Sequence, residues 1–389
     1  MAFTFLHTSD WHIGKPFGRF DAEQAAVLRR ARLTAIDRLA DAARSGLARH
    51  VLVAGDLFDR PGLSDLDLRK PISQMQAHGD LAWHVIPGNH DPAVAGGIWE
   101  RAVRDGLPAN VHLYLQPDPV EIAERCWLLP APLAARSMSL DPTAWMDAAA
   151  TPEGAMRIGL AHGSIQGFGS DRSASIEIAP DRPKRAGLAY LALGDWHGVR
   201  EIGPRAAYSG TPEPDGFLDN APGFALLVTL DDPRAVPRIV RKETGAHRWL
   251  QRSIGTVRTS DLAALEGEIE GLGANAGRML LEVHASGRVT MAGERDVRRR
   301  LDRLESRLLH LARRLDSLVV APADDDIERL PEGPLREIGR ELSRLAVDAD
   351  GAEQIVAQRA LRHLFELSDS STAGVTTSGT ARESIGEAA

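Results

Sequence analysis

Eight apolar runs of five to eight residues punctuate the first 230 residues, and helix-length stretches separate the early ones. The first, FTFLHT (3–8), alternates in the manner of a strand. HVLVAG (50–55), LAWHVIPG (81–88), VHLYL (111–115), CWLLP (126–130), MRIGLAH (156–162), LAYLALG (188–194) and GFALLVTL (223–230) follow. Residues 21–45 read as a helix, opened by Asp21 with Gln24 three residues on and closed by Gly46. Residues 64–79 are a second helix-like stretch, ending in glycine. Buried strands alternating with helices leave few solutions, and they predict a layered α/β domain.

Polar clusters terminate these strands one after another. They are Asp10 and His12, then Asp56 in GDLFD, then Asn89, His90 and Asp91 in GNHD, then His162 in AHGS, then Asp195 and His197 in GDWHG. Singly, each reads as turn chemistry, since Asp caps backbone amides at strand ends. Functional groups of open α/β sheets gather at the carboxyl ends of strands, so the ordered series predicts one shared site. If the backbone of 194–198 is extended, Asp195 and His197 point the same way.

The residue types suit a pair of divalent cations acting on a phosphoester. Asp56, in a tight turn at the middle of the set, is the natural bridging carboxylate. Asn89 is a neutral ligand that keeps the site from becoming too anionic for phosphate. His90 cannot point the same way as its neighbour, and is placed to bond the phosphate or protonate the leaving oxygen. Asp91 is expected to orient that imidazole.

The totals bound the partners. The 389 residues are enough for two domains, and 43% are apolar. A formal net charge of -8 restricts any nucleic-acid contact to a local patch or to bound metal ions. One cysteine, Cys126, rules out an internal disulfide and suits a reducing, cytoplasmic compartment. No stretch is apolar for the ~20 residues that a membrane span needs. MAFTFLHTSDWH has no basic n-region and does not read as a signal peptide.

Beyond a boundary near 240–248 the character changes. RWLQRSIG, a helix at 260–271 and RMLLEVHASG (278–287) read as a small β-α-β unit. Val297, Leu301, Leu304, Leu308, Leu311 and Leu315 are spaced 4-3-4-3-4, which predicts one amphipathic helix over 294–315. Its many arginines form either a DNA path or a solvated face balanced by acids on the same helix. Helices are expected at 334–347 and 352–367, the latter either a docking helix or packed on its own domain. Residues 368–389 are rich in Ser, Thr, Gly and Ala and predict disorder.

Taken together, D-x-H, G-D-x-x-D, G-N-H-D, a later H-G and a final x-x-H resemble the calcineurin-like metallophosphoesterases. SDWHIG, AGDLFDRPG, IPGNHD and YSGTPEPDGF (208–217) are similar to the SbcD-type DNA repair exonucleases, in particular their YhaO-like members. The resemblance implies a four-layer sandwich of two mixed sheets flanked by helices. It divides the chain into a nuclease domain at 1–240, a smaller α+β cap or partner-binding region at 247–367 and a tail at 368–389. It implies two divalent metal ions, Mn²⁺ with Mg²⁺ as the other candidate. Asp10, His12, Asp56 and His197 would hold one, and Asp56, Asn89, His162 and the residue at 195 the other. There the chain departs, with G-D-W-H where the family has G-H-x-H. Asp195 is either a harder, anionic ligand favouring Mn²⁺ or Mg²⁺ over Zn²⁺, or no ligand at all. The implied partners are DNA ends or single strands, an SMC-like ATPase with long coiled coils, and a second copy of the chain. The expected activity is a two-metal DNA exonuclease or endonuclease of double-strand-break repair. The alternatives are a phosphodiesterase or phosphatase for nucleotides or other small phosphoesters, and a non-catalytic scaffold on the same fold.

Overall fold

The structure, a computed structural model, describes residues 2–167, 176–218, 220–255, 259–320, 327–328 and 330–374. The chain divides into two compact units, Met1–Trp249 and Leu250–Ala389.

The first unit begins as the apolar runs predict. β1 (Phe3–Thr8), α1 (Ala22–Ser45), β2 (His50–Ala54), α2 (Asp65–Ala77), β3 (Ala82–Ile86), α3 (Ile98–Asp105) and β4 (Val111–Leu113) alternate. The Asp21 side chain accepts from the Gln24 amide and so caps α1. The chain then crosses to a second sheet with β5 (Val120–Ala123), β6 (Cys126–Ala131) and β7 (Met156–His162). A two-stranded ribbon of β8 (Ser164–Ile165) and β9 (Glu177–Ile178), the short α4 (Arg182–Arg185), β10 (Tyr190–Gly194), β11 (Arg200–Glu201) and β12 (Ala206–Tyr208) complete that half. β13 (Phe224–Leu230) and β14 (Arg238–Glu243) return to the first sheet, where β13 lies antiparallel to β1.

The two sheets run β14-β13-β1-β2-β3-β4 and β11-β12-β10-β7-β6-β5. Strand alternation sorts side chains between layers. Val51 and Val53 of β2 pack with α1 and α2 residues such as Ile36, Leu39 and Met75, while Leu52 and Ala54 pack with Leu128, Ile158 and Leu160 of the facing sheet. A third cluster covers the outer face of the second sheet, with Met146, Ala186 and Leu188. This is the predicted α/β sandwich of two mixed sheets flanked by helices. Cys126 is buried between the sheets, and burial pushes its thiol up to about 12.

In the second unit, β15 (Arg248–Ile254), β16 (Met279–Val289) and β17 (His310–Val320) form a three-stranded sheet with α5 (Thr259–Gly271) and α6 (Met291–Glu305). α7 (Pro334–Asp348) and α8 (Gly351–Gly374) follow. Two expectations need correction. The helix expected over 294–315 stops at Glu305, and His310–Val320 is a strand parallel to β16. The four-residue step from Leu311 to Leu315 fits a helix, but being even it also keeps both on one face of a strand. Leu311 joins the sheet core while Val297, Leu301 and Leu304 supply the helical seam. Of the tail expected at 368–389, residues 368–374 instead continue α8. Residues 375–389 lie outside those described. The arginines of α6 are paired: Arg298 with Glu294, Arg299 with Asp296, and Arg300 with Glu266 of α5. On α8, Leu361 and Phe365 are buried, whereas Ile355, Val356 and Leu367 are exposed. Among the described residues, no helix is long and apolar enough to cross a membrane.

Candidate metal centre

Every predicted site residue lies at the carboxyl end of a strand, on two sheets that face each other. Asp10 and His12 follow β1, Asp56 follows β2, and Asn89 and His90 follow β3. His162 ends β7, and Asp195 and His197 follow β10. The turns after β1 and β2 are stitched together. The amides of Asp10, His12 and Ile13 donate to the carbonyls of Gly55, Asp56 and Leu57 at 3.1, 3.0 and 2.9 Å. Asp10, His12, Asp56 and Asp195 sit at φ of 56°, 43°, 53° and 104°. Residues other than glycine rarely adopt such backbone angles, each of which costs roughly 1–3 kcal/mol, and strain of this kind concentrates at functional sites.

The two D-W-H segments use their tryptophans differently. Trp11 is buried, donates to Thr8 at 3.0 Å and packs edge-on against Trp83. Trp196 is 37% exposed. The extended geometry expected at 194–198 is not observed. Asp195 at positive φ turns toward Asn89 and His162, while His197 faces His12.

The donors converge. Ligand atoms lie within 4.8 Å of one another in each of three sets: Asp10, His12 and His197; His12, Asp56 and His90; Asp10, Asp56 and His162. Asp56 Oδ1 accepts from the His90 amide at 2.9 Å, so its other oxygen is left facing the site. That Oδ2 stands 3.7 Å from His12 Nε2 and 3.5 Å from His162 Nε2, beyond good hydrogen-bond length on both sides. The Nε2 atoms of His12 and His197 face each other at 3.1 Å. His162 Nδ1 donates to the Ala54 carbonyl at 2.8 Å, and its Nε2 is buried without a partner, as is Asn89 Oδ1. Buried polar atoms are rarely left orphaned. The His162 nitrogen faces Asp56 Oδ2 and Asp195 Oδ1 at 3.5 and 3.9 Å, and the carboxylate, amide and imidazole set suits divalent first-row cations. The residues therefore fit divalent cations of this kind.

The charge balance points the same way. Burial pushes the Asp10 carboxyl up, against the pull of His197 and His162. Burial also acts on Asp56, but His162, His12 and His90 outweigh it and hold that carboxyl below the usual range. The opposite demand falls on His162. Burial would lower it, yet the Asp56, Asp10 and Asp195 carboxylates raise it well above the ordinary histidine value. Burial lowers His12. The cluster calls for positive charge at its centre, and protons on imidazoles supply it only in part.

One assignment changes. Asp91 does not orient His90. Its carboxylate is buried and accepts from the amides of Gly88 at 2.6 Å and Phe58 at 2.9 Å, so it fixes the turn. The His90 ring is held instead by the Asp59 carbonyl, which accepts from Nδ1 at 2.9 Å. Asp195 has one oxygen engaged, accepting from Ser164 at 2.8 Å, while Oδ1 lies 3.4 Å from Asn89 Nδ2 and 3.9 Å from His162 Nε2. Sequence reasoning missed Ser9, Asp59, Ser164 and Asp215. Ser9 donates to Asp10 at 2.6 Å, and Asp215 accepts from His197 Nδ1 at 3.4 Å. Asp215 lies within YSGTPEPDGF, but nothing in that motif's spacing shows which ring it would meet.

A sequence model of the family described as Calcineurin-like phosphoesterase matches residues 3–198. None of the curated protein sequences matches the chain. Among solved structures, the crystal structure of TT1561 of Thermus thermophilus is similar at 12% identity and a TM-score of 0.42, covering 63% of this chain and 100% of that one.

Proposed function

This chain belongs to the calcineurin-like phosphoesterases, and from that premise we propose that it is a metal-dependent DNA nuclease. Metal-dependent hydrolysis of phosphoesters is the family's chemistry. The observation that carries it here is Asp56 Oδ2 set between the Nε2 atoms of His12 and His162. Asp10, His12, Asp56 and His197 would hold one cation, and Asp56, Asn89, His162 and Asp195 the other. Such ions supply Lewis acidity to the phosphoryl oxygens.

Other tasks fall to the chain. His90 donates through Nδ1, so Nε2 is its outward nitrogen, and the ring is partly exposed. That nitrogen can bond a phosphoryl oxygen and, when protonated, pass its proton to the leaving oxygen. Asn89 keeps the anionic load down. Trp196, exposed between Asp195 and His197, offers a ring on which a base can stack, worth about 1–3 kcal/mol. This supports a nucleic-acid substrate, and GDLFDRPG is unlike the GDxVDRG of protein phosphatases. On the motif resemblance we extend the proposal to Mn²⁺ as working metal, a double-strand-break repair role, a cytoplasmic setting, an SMC-like ATPase partner and a homodimer.

A second reading, hydrolysis of nucleotides or other small phosphodiesters, draws support from the net charge of -8. The test is digestion of linear duplex and single-stranded DNA with Mn²⁺, beside bis(p-nitrophenyl) phosphate and mononucleotides. Digestion by the wild type and loss in His90→Ala support the nuclease. Turnover of the small esters with none of DNA selects the second reading.

A further inference from the structure

We infer that Asp215 is a positioning residue for the cation site of Asp10, His12, Asp56 and His197, and that Arg32 fixes its place; this rests on the two-cation reading above. The Asp215 side chain is 3% exposed. Its Oδ1 accepts from His197 Nδ1 at 3.4 Å, and its Oδ2 accepts from Lys15 Nζ at 2.5 Å. Arg32 Nη1 stands 3.8 Å from the same Oδ2.

Arg32 supplies an independent observation. It is a buried arginine on α1, remote in sequence from every predicted ligand. Its guanidinium donates to the carbonyls of Trp11 at 2.7 Å, Asp10 at 3.0 Å and Glu213 at 2.9 Å, and to the Thr211 hydroxyl at 3.3 Å. One side chain thus ties the Asp10–Trp11 backbone to the segment that presents Asp215.

The chemical consequence concerns the other nitrogen of His197. A ring that donates Nδ1–H to a carboxylate presents Nε2 as a lone pair, and the carboxylate fixes its orientation and raises its basicity. In His197 that nitrogen faces His12 Nε2 at 3.1 Å, at the centre of one donor set. Lys15 and Arg32 offset the carboxylate charge, so Asp215 does not add a further uncompensated anion to the centre.

The experiment is Mn²⁺ titration of the full chain by calorimetry, for wild type, Asp215→Asn, His197→Gln and the double variant. The expected result is two sites in the wild type. Asp215→Asn should weaken one of them about tenfold to a hundredfold and leave the other unchanged. His197→Gln should weaken the same site, and the double variant should be little worse than His197→Gln alone. Unchanged binding in Asp215→Asn, equal weakening of both sites, or additive losses would each overturn the role. A wild type that binds no Mn²⁺ and hydrolyses no phosphodiester overturns the two-cation reading itself. Should Asp215→Asn fail to fold, nitrogen NMR of the Mg²⁺-saturated wild type decides: a His197 ring protonated at Nδ1 supports the inference, and one protonated at Nε2 sinks it.

Discussion

At the scale of single residues, Asp195 tests the centre most directly, because one oxygen is bound by Ser164 and the other faces Asn89 and His162. If Oδ1 ligates, Asp195→Ala weakens Mn²⁺ binding at the His162 site about tenfold or more and leaves the His197 site intact. Asp195→His should raise the affinity for Zn²⁺ relative to Mg²⁺, since imidazole suits the softer ion. Competition titrations check both, and an unchanged Asp195→Ala removes it from the ligand set. His7 gives a prediction independent of metal. It is buried against Tyr190, and burial lowers its pKa to about 3. The unfolded chain therefore binds a proton near pH 6.5 that the fold refuses, and His7 contributes stability above that pH which is lost as pH falls toward 3. From pH 6.5 to 5 the loss is about 2 kcal/mol. Denaturant titrations at the two pH values should show a flatter pH dependence in His7→Leu. An equal slope in both proteins would mean that other buried histidines, such as His84, carry the effect.

At the scale of elements, the long buried strands and the ligand-bearing turns were legible because both depend on local pattern, whereas the short strands such as β8, β9, β11 and β12 and the edge strand β14 were not. An apolar run must be buried, and a Gly-Asp or Gly-Asn step must turn. The glycines explain why the turns read so clearly. A Cβ on Gly194 would lie 2.0 Å from the Ala54 carbonyl and 2.7 Å from His162 Nδ1, and one on Gly88 would meet Asp56 Oδ1 at 2.2 Å. Facing strands and turns approach at these points too closely for any side chain. Gly194→Ala should destabilise the chain by roughly 1–3 kcal/mol through this overlap and misplace His162. A lower denaturation midpoint together with weaker Mn²⁺ binding is the expected pair of results. A variant as stable as wild type would show that the two sheets can part locally at no cost. What the pattern could not carry is pairing between distant segments. The stretch 310–320 became a strand because β16 offers a parallel edge, which no spacing within 294–315 records. Asp91 was misjudged for a similar reason. Its partners, the Gly88 and Phe58 amides, are set by how two turns meet.

At the scale of the whole molecule, the donor set ties together two layers whose facing sides are largely apolar. Asp10, Asp56 and Asn89 come from one sheet, and His162 and Asp195 from the other. Cations bound by this set would cross-brace the two sheets, so their removal should be felt in global stability as well as in turnover. With free Mn²⁺ at about a hundredfold over its dissociation constant, each site contributes about 2.7 kcal/mol. At roughly 2–4 °C per kcal/mol for a unit of this size, EDTA should lower Tm by about 5–10 °C per site. The metal-free protein should also respond to pH in a characteristic way. Burial alone would lower His162 and His197, but both are raised above the ordinary histidine value, the first by Asp56 and Asp10 and the second by Asp215. A group raised in the fold contributes stability that is complete below its unfolded pKa of about 6.5 and is lost as pH climbs through the folded value. EDTA-treated protein should therefore weaken as pH rises above 6.5, because the protons that stood in for the cations leave. Metal-loaded protein should hold or gain over the same range, since the cation displaces those protons and binds better as they depart. Thermal unfolding between pH 6.5 and 9, with and without Mn²⁺, separates the two curves. Curves that stay parallel would mean that the carboxylates and imidazoles of the two sheets balance one another without a metal.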